Sequence, residues 1–184
     1  MTADDLLQII DYSGADKAKL KARCDKWWPA IERAMQSHQI NTAQRQAHFI
    51  GQVAHESGRF QYCREIWGPT EAQRRYEGRL DLGNTHPGDG FNFRGRGLIQ
   101  ITGRVNYAAC GDALGLDLVG HPELLEVPEH AADASAWWWN QHGLNRLADT
   151  GDVERVTRRV NGGINGLAER KALTEKALAV LAQA

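Results

Sequence analysis

The centre of this chain resists regular structure. Glycine recurs at positions 78, 83, 88, 90, 95 and 97, with Asn84, Pro87, Asp89 and Asn92 among them. Residues of these types punctuate helices and set tight turns, so 78–97 reads as a loop or a small irregular sheet. On either side the apolar residues recur every three to four positions, the spacing of a buried helix face. Before the insert this applies to short helices within about 4–39 (Leu6, Ile9, Ile10; Leu20, Cys24, Trp27, Trp28; Ile31, Met35) and to a stronger helix over about 42–58. Asn41 with Gln44 three positions on has the spacing of a capping box at the start of that helix. After the insert, helices are expected from Pro128 to about Gly143, over about 152–160 and over about 167–181. Between insert and helices, 98–102 alternates, which places Gln100 and Thr102 on one face of a short strand and Ile99 and Ile101 on the other.

The 184 residues suit one compact domain, 1–184, in which 1–40 forms a helical N-terminal layer. A hydrophobic content of 42% supplies a core, and a net charge of −1 removes the strong basic field expected of a nucleic-acid binder. Three widely spaced cysteines (Cys24, Cys63, Cys110) fit neither a disulfide framework nor a CxxC metal site and are expected as reduced thiols. No metal site or cofactor motif is read. No apolar run approaches the roughly 18 residues that cross a bilayer. The first ten residues carry two acids where a secretory signal carries positive charge, so a cytoplasmic protein without a signal peptide, and a monomer, is expected.

Phe49, Val53, Glu56 and Phe60 follow one helical stripe, so a carboxylate stands in an apolar row. A carboxyl group desolvated there has the character of a general acid, although a solvated glutamate at the margin of the stripe fits the same spacing. The neighbouring row, His48, Gln52, His55 and Arg59, is polar and fits water or a cleft. An unbroken helix would put Glu65 nearly opposite Glu56, at nine steps of about 100°. Both can serve one cleft only if the helix stops near Gly58 to Phe60. Two carboxylates across a cleft are what glycosidic hydrolysis needs: one protonates the leaving oxygen and the other activates water.

Other patterns fail on inspection. His55-Glu56-Ser57-Gly58-Arg59 lacks the second histidine of a zinc-protease motif. Gly95-Arg96-Gly97-Leu98-Ile99-Gln100 lacks the last glycine of a dinucleotide loop and does not open a helix. In Trp137-Trp138-Trp139 at least one indole belongs to the core, and one can reach the surface to stack on a sugar.

His55-Glu56-Ser57-Gly58, Tyr62-Cys63-Arg64-Glu65, the run Phe93-Arg94-Gly95-Arg96-Gly97-Leu98-Ile99-Gln100-Ile101-Thr102-Gly103-Arg104-Val105-Asn106-Tyr107, and Val160-Asn161-Gly162-Gly163 together resemble glycoside hydrolase family 19. The likeness spans about 45–170 and is nearest the bacteriophage and prophage endolysins of that family, relatives of the plant chitinases. It implies a mostly α, lysozyme-like α+β fold, a helical bundle with the glycine-rich loop/β insert as one wall of a cleft. It also implies inverting hydrolysis of a β-1,4 bond between N-acetylated amino sugars, with Glu56 as general acid, Glu65 as general base and Thr102 holding the attacking water. Gln100, Asn106, Tyr107, Asn161 and His55 inherit sugar-binding roles, and Arg170 organises the base side.

Three departures from the plant enzymes stand out. Asn165 occupies the place of a glutamate near the base, the segment between Glu56 and Glu65 is shorter, and Cys63 matches a position disulfide-bonded in many plant members. Glu77 is a further carboxylate at the rim, either structural or a competitor of Glu65. The function expected is that of an endolysin cutting peptidoglycan between N-acetylmuramic acid and N-acetylglucosamine. It would wait in the host cytoplasm until released to the wall, with glycan strands as partners and neither nucleic acid nor stable membrane insertion involved. A chitinase, a lytic transglycosylase and a non-catalytic glycan-binding module are the rival readings.

Overall fold

The computed structural model describes residues 1–183. Two helices form the N-terminal part, α1 (Ala3–Ile10) and α2 (Lys17–Ser37). Thr2 and Asp5 close a capping box on α1, and the Asp16 side chain caps α2. The second helix is one element of 21 residues with Pro29 inside it, where several short helices were expected. Its face of Leu20, Cys24, Trp27, Ile31 and Met35 is buried, and burial of that stripe outweighs the cost of an internal proline.

The central helix α3 (Ala43–Glu56) starts one residue later than its sequence cap suggests, because the Thr42 hydroxyl, and not Asn41, accepts from the Arg45 N–H. Phe49, Ile50 and Val53 on it are fully buried. Its partner is α10 (Leu167–Leu181), and the two pack tightly at Gly51, where a Cβ would lie 2.4 Å from the Thr174 hydroxyl. Only glycine permits that crossing.

The insert follows as short pieces: α4 (Glu71–Arg74), a 3₁₀ turn at Leu80–Leu82, and α5 (Asp89–Asn92). Strand-like pairing is confined to single bridges of Arg96 with Arg64 and with Ile101. The short strand expected at 98–102 is a turn instead. Gln100 adopts a left-handed φ of 61°, and the backbone of Arg96 and Ile101 exchanges two hydrogen bonds across it. Alternation of apolar and polar residues is the same in a tight turn with paired ends as in a strand.

The chain then forms α6 (Arg104–Leu114), a 3₁₀ turn at Pro122–Glu126, α7 (Pro128–Gln141), α8 (Leu144–Ala148) and α9 (Val153–Asn161). Two apolar cores result. The larger joins α1, α2, α3 and α10 with Ala132, Ala136 and Trp139 of α7. The smaller joins Phe93 and Ile101 with Tyr107, Cys110, Leu118, Leu125 and Ala134 of α7. Helix α7 is thus the wall between the helical body and the insert. The fold is mostly helical, as expected, and residues 1–40 pack into the larger core with the rest.

Candidate active site

The chain leaves α3 by a turn that the stripe argument required. Gly58, Arg59 and Phe60 all adopt left-handed φ angles, 57°, 57° and 61°, two of them without being glycine. This is strained backbone, and its surroundings hold it there. The Ser57 hydroxyl accepts from the Phe60 N–H, its carbonyl accepts from Gln61 and Tyr62, and Arg59 donates to the Ile10 carbonyl while pairing with Glu169. The turn releases Glu65 from the helical register of Glu56.

Glu56 ends α3. Phe49, Val53 and Phe60 of its row are buried, but its own side chain is 21% exposed and meets the Arg170 guanidinium at 2.5 Å through Oε1. The expected apolar surroundings are therefore corrected: a cation from α10 reaches the margin of the stripe and fixes the carboxylate there. Arg170 is 1% exposed and also donates to Gln52 Oε1 (2.5 Å) and to the Asn165 carbonyl (3.0 Å). Its expected place on the base side is corrected too, since α10 packs along α3 and delivers it to Glu56. The other carboxylate oxygen, Oε2, accepts no hydrogen bond from the described residues.

The polar row beside it is buried at His48 and Gln52 and partly exposed at His55 and Arg59. Gln52 donates to the Thr157 hydroxyl of α9, and His55 Nδ1 lies 2.6 Å from Glu169 Oε2. Burial pushes the His48 imidazole below its ordinary range. His55 packs against Gly166 at the start of α10 and stays partly exposed.

Glu65 is held differently. Its backbone N–H donates to the Gly95 carbonyl, and the Gly95 N–H returns a bond to Oε2 at 3.0 Å. Oε1 accepts from Gln73 Nε2 at 3.0 Å and from the Tyr76 hydroxyl at 3.3 Å. Burial, then the Glu65 charge, raises the Tyr76 hydroxyl above the ordinary phenol range, so it stays a donor. Gln73 also donates to the Ile66 carbonyl and accepts from the Gly68 and Thr70 N–H groups, which makes it the hub of this loop. Gln73, Tyr76 and Gly95 are absent from the sequence reading of the site. The signal that could have found Gln73 is the Thr70-x-x-Gln73 capping box that starts α4.

Glu65 lines a cavity of about 500 Å³ with Tyr62, Arg64, Trp67, Arg94 and Glu126. A second groove of about 390 Å³ is lined by Gln100, Thr102, Asn106, Trp137, Trp138 and His142. Gln100 of the groove lies beside Gly95, whose N–H holds Glu65: its Oε1 fills the space where a Cβ would come within 2.6 Å. Thr102 donates to the Gln100 carbonyl at 3.0 Å, and Asn106 to the Thr102 carbonyl at 2.7 Å. So the structure brings Gln100, Thr102 and Asn106 together, through a turn in place of the expected strand face. Thr102 lies in the groove and does not line the Glu65 cavity, and Glu56 lines neither.

Tyr107 is not available to a sugar. It is fully buried, donates to the Arg94 carbonyl at 2.5 Å, accepts from Arg96 at 3.0 Å and meets the Phe93 ring edge-on. Burial pushes its hydroxyl up to about 12. One helical step of about 100° separates it from the exposed Asn106, which explains the correction. Asn161 is exposed at the end of α9, next to Val160 of the groove. Glu77 accepts from the Gly88 and Gly90 N–H groups, which ties the insert together and engages both its carboxylate oxygens. Of the three indoles, Trp139 is core and bonds Asn145, whereas Trp138 stacks on His142 along the groove.

Residues 33–148 match the family described as Chitinase class I. A Glycosyl hydrolase family 19 domain-containing protein of Haemophilus influenzae is 45% identical over 100 residues, covering 54% of this chain and 48% of that protein. An endochitinase of Arabidopsis thaliana is 38% identical over 119 residues, covering 64% of this chain and 39% of that protein. The chain thus spans less than half the length of these two relatives. Chitinase C from Streptomyces griseus has the same fold, with a TM-score of 0.75 at 20% identity over 98% of this chain and 76% of that one.

Proposed function

The chain belongs to glycoside hydrolase family 19, and from that premise we propose that it hydrolyses β-1,4 bonds between N-acetylated amino sugars by inversion. Glu56 Oε2, the oxygen left open by Arg170, carries the proton to the leaving oxygen as the bond from C1 breaks. Glu65 takes a proton from the water whose oxygen bonds to C1 from the opposite face. The proton gained at Glu65 returns to solvent, and Glu56 is reprotonated. Such a pair stands about 6.5–9.5 Å apart to admit the water. Thr102, with Gln100 and Asn106, orients sugar and water along the groove, and Trp138 offers an aromatic face. The observation that carries this reading is the fixation of both glutamates by different partners, Glu56 by Arg170 and Glu65 by Gln73, Tyr76 and Gly95.

For the substrate we propose the glycan strand of peptidoglycan, cut between N-acetylmuramic acid and N-acetylglucosamine as by an endolysin. The short turn between Glu56 and Glu65 and the open Glu65 cavity support it, because the lactyl ether of muramic acid needs room. Chitin is the second reading, favoured by the endochitinase names among the relatives. Purified peptidoglycan and chitin hexasaccharide, treated with wild type, Glu56→Gln and Glu65→Gln, test both. Loss of at least about 10²-fold in each variant is expected. Near-wild-type activity in either removes that residue from the mechanism, and new reducing ends from chitin alone would overturn the peptidoglycan reading.

A further inference from the structure

The wall of the Glu65 cavity carries a charge that hydrolysis does not use. Arg94 lines it and is 7% exposed. Its neighbours are already paired. Glu126 gives one oxygen to Arg64 at 3.2 Å and the other to Arg96 at 2.8 Å, and both oxygens of Glu65 are taken by Gln73, Tyr76 and Gly95. Among the described residues Arg94 therefore has no carboxylate partner. Among the described residues its guanidinium makes one hydrogen bond, Nη1 to the Phe91 carbonyl at 2.8 Å, and it lies 4.1 Å from the centre of the Phe91 ring. Its Nε is buried with no partner.

Three guanidiniums, those of Arg64 and Arg94 on the cavity wall and Arg96 nearby, thus have one paired carboxylate, Glu126, among them. A buried cation without a counter-ion is costly, and so is a buried donor left without an acceptor. Burial, then the charges of Arg96 and Arg64, pushes the Arg94 guanidinium below its ordinary range. An arriving carboxylate would supply the missing partner, since guanidinium binds carboxylate through two parallel hydrogen bonds.

We propose that Arg94, with Arg64 at the cavity mouth, binds a carboxylate on the lactyl-peptide arm of a muramoyl residue and so selects peptidoglycan over neutral chitin. The proposal rests on the amino-sugar reading of the site and names the feature of the substrate that the protein distinguishes.

Binding measured by calorimetry tests it without requiring turnover. The probes are N,N′-diacetylchitobiose, N-acetylglucosaminyl-N-acetylmuramic acid with its free lactyl carboxylate, and the same disaccharide carrying a dipeptide, whose lactyl carboxyl is an amide. Wild type is expected to bind at least one anionic probe ten or more times tighter than chitobiose, and the probe preferred tells which carboxylate is held. Arg94→Met is expected to erase the preference and Arg94→Lys to keep part of it. Equal affinities in wild type overturn the proposal whether or not either variant folds, and so does a preference that survives in Arg94→Met. Preference without hydrolysis of either polymer would instead overturn the enzymatic reading and leave the anion site standing. Hydrolysis without preference does the reverse.

Discussion

Glu56 and Glu65 are nine positions apart, and the molecule holds them by opposite means. Glu56 stands on a helix and is fixed by one buried cation from a helix more than a hundred residues away. Glu65 stands in a loop and is fixed by three neutral donors from its own lobe, two of them within eleven residues. The Glu56 side, proposed as the acid, is thus held by the packing of α3 against α10, and the Glu65 side, proposed as the base, by turn geometry in the insert. The first arrangement concentrates its cost in a single ion pair, whereas the second distributes it over several weaker bonds. Damage to each side is expected to differ accordingly.

The largest effect is expected at the acid side. Arg170→Leu leaves Glu56 and Gln52 without their shared donor and is expected to cost about 3–5 kcal/mol, the scale of breaking a buried pair. Urea unfolding of the variant measures it. A loss below 1 kcal/mol would mean that the ion pair is dispensable and that the comparison of the two sides is misdrawn.

The insert is tied to the start of α6 by a buried pair, Asp89 with Arg104, at 2.6 and 2.8 Å. The Arg104 guanidinium holds the Asp89 carboxyl well down, at about 2. Because the folded value lies below the unfolded one, the stabilisation is present above pH 4 and is lost as pH falls toward 2. Asp89→Asn is expected to cost about 2 kcal/mol at neutral pH. The gap to wild type should narrow below pH 4 and close near pH 2, as followed by thermal melts across that range.

Gln73→Leu sharpens the base side. It removes one donor to Glu65 and the acceptor of two loop N–H groups, and a stability cost of about 1–2 kcal/mol is expected. Turnover of the preferred polymer should fall about tenfold with little change in KM, because the base is misplaced while the groove is intact. A rise in KM alone would place Gln73 in sugar binding instead.

The two sides were also unequally legible in the sequence. The helical period places Phe49 and Val53 in the core, Pro128 at the start of α7 and the bounds of α10, because these depend on local spacing. The stop after Glu56 followed from Gly58, although the left-handed Arg59 and Phe60 did not. What spacing cannot show is the partner across the fold. The row of His48, Gln52 and His55 fits water or a cleft by spacing alone, and its partners Thr157, Glu169 and Arg170 come from α9 and α10. Tyr107 lay inside a motif and was read as a sugar contact, yet its neighbour Asn106 carries the exposed face. Gln100 and Thr102 do line one groove, but Ile99 and Ile101, expected on the opposite face, line it too, because the chain makes a turn in place of a strand.

The most direct measurement of the two-glutamate account is the anomeric form of the first products, followed by proton NMR before mutarotation with the better of the two polymers. Water activated by Glu65 on the face opposite the bond protonated by Glu56 must yield the α-anomer first. An initial β-anomer, or 1,6-anhydro ends in place of reducing sugar, would contradict it.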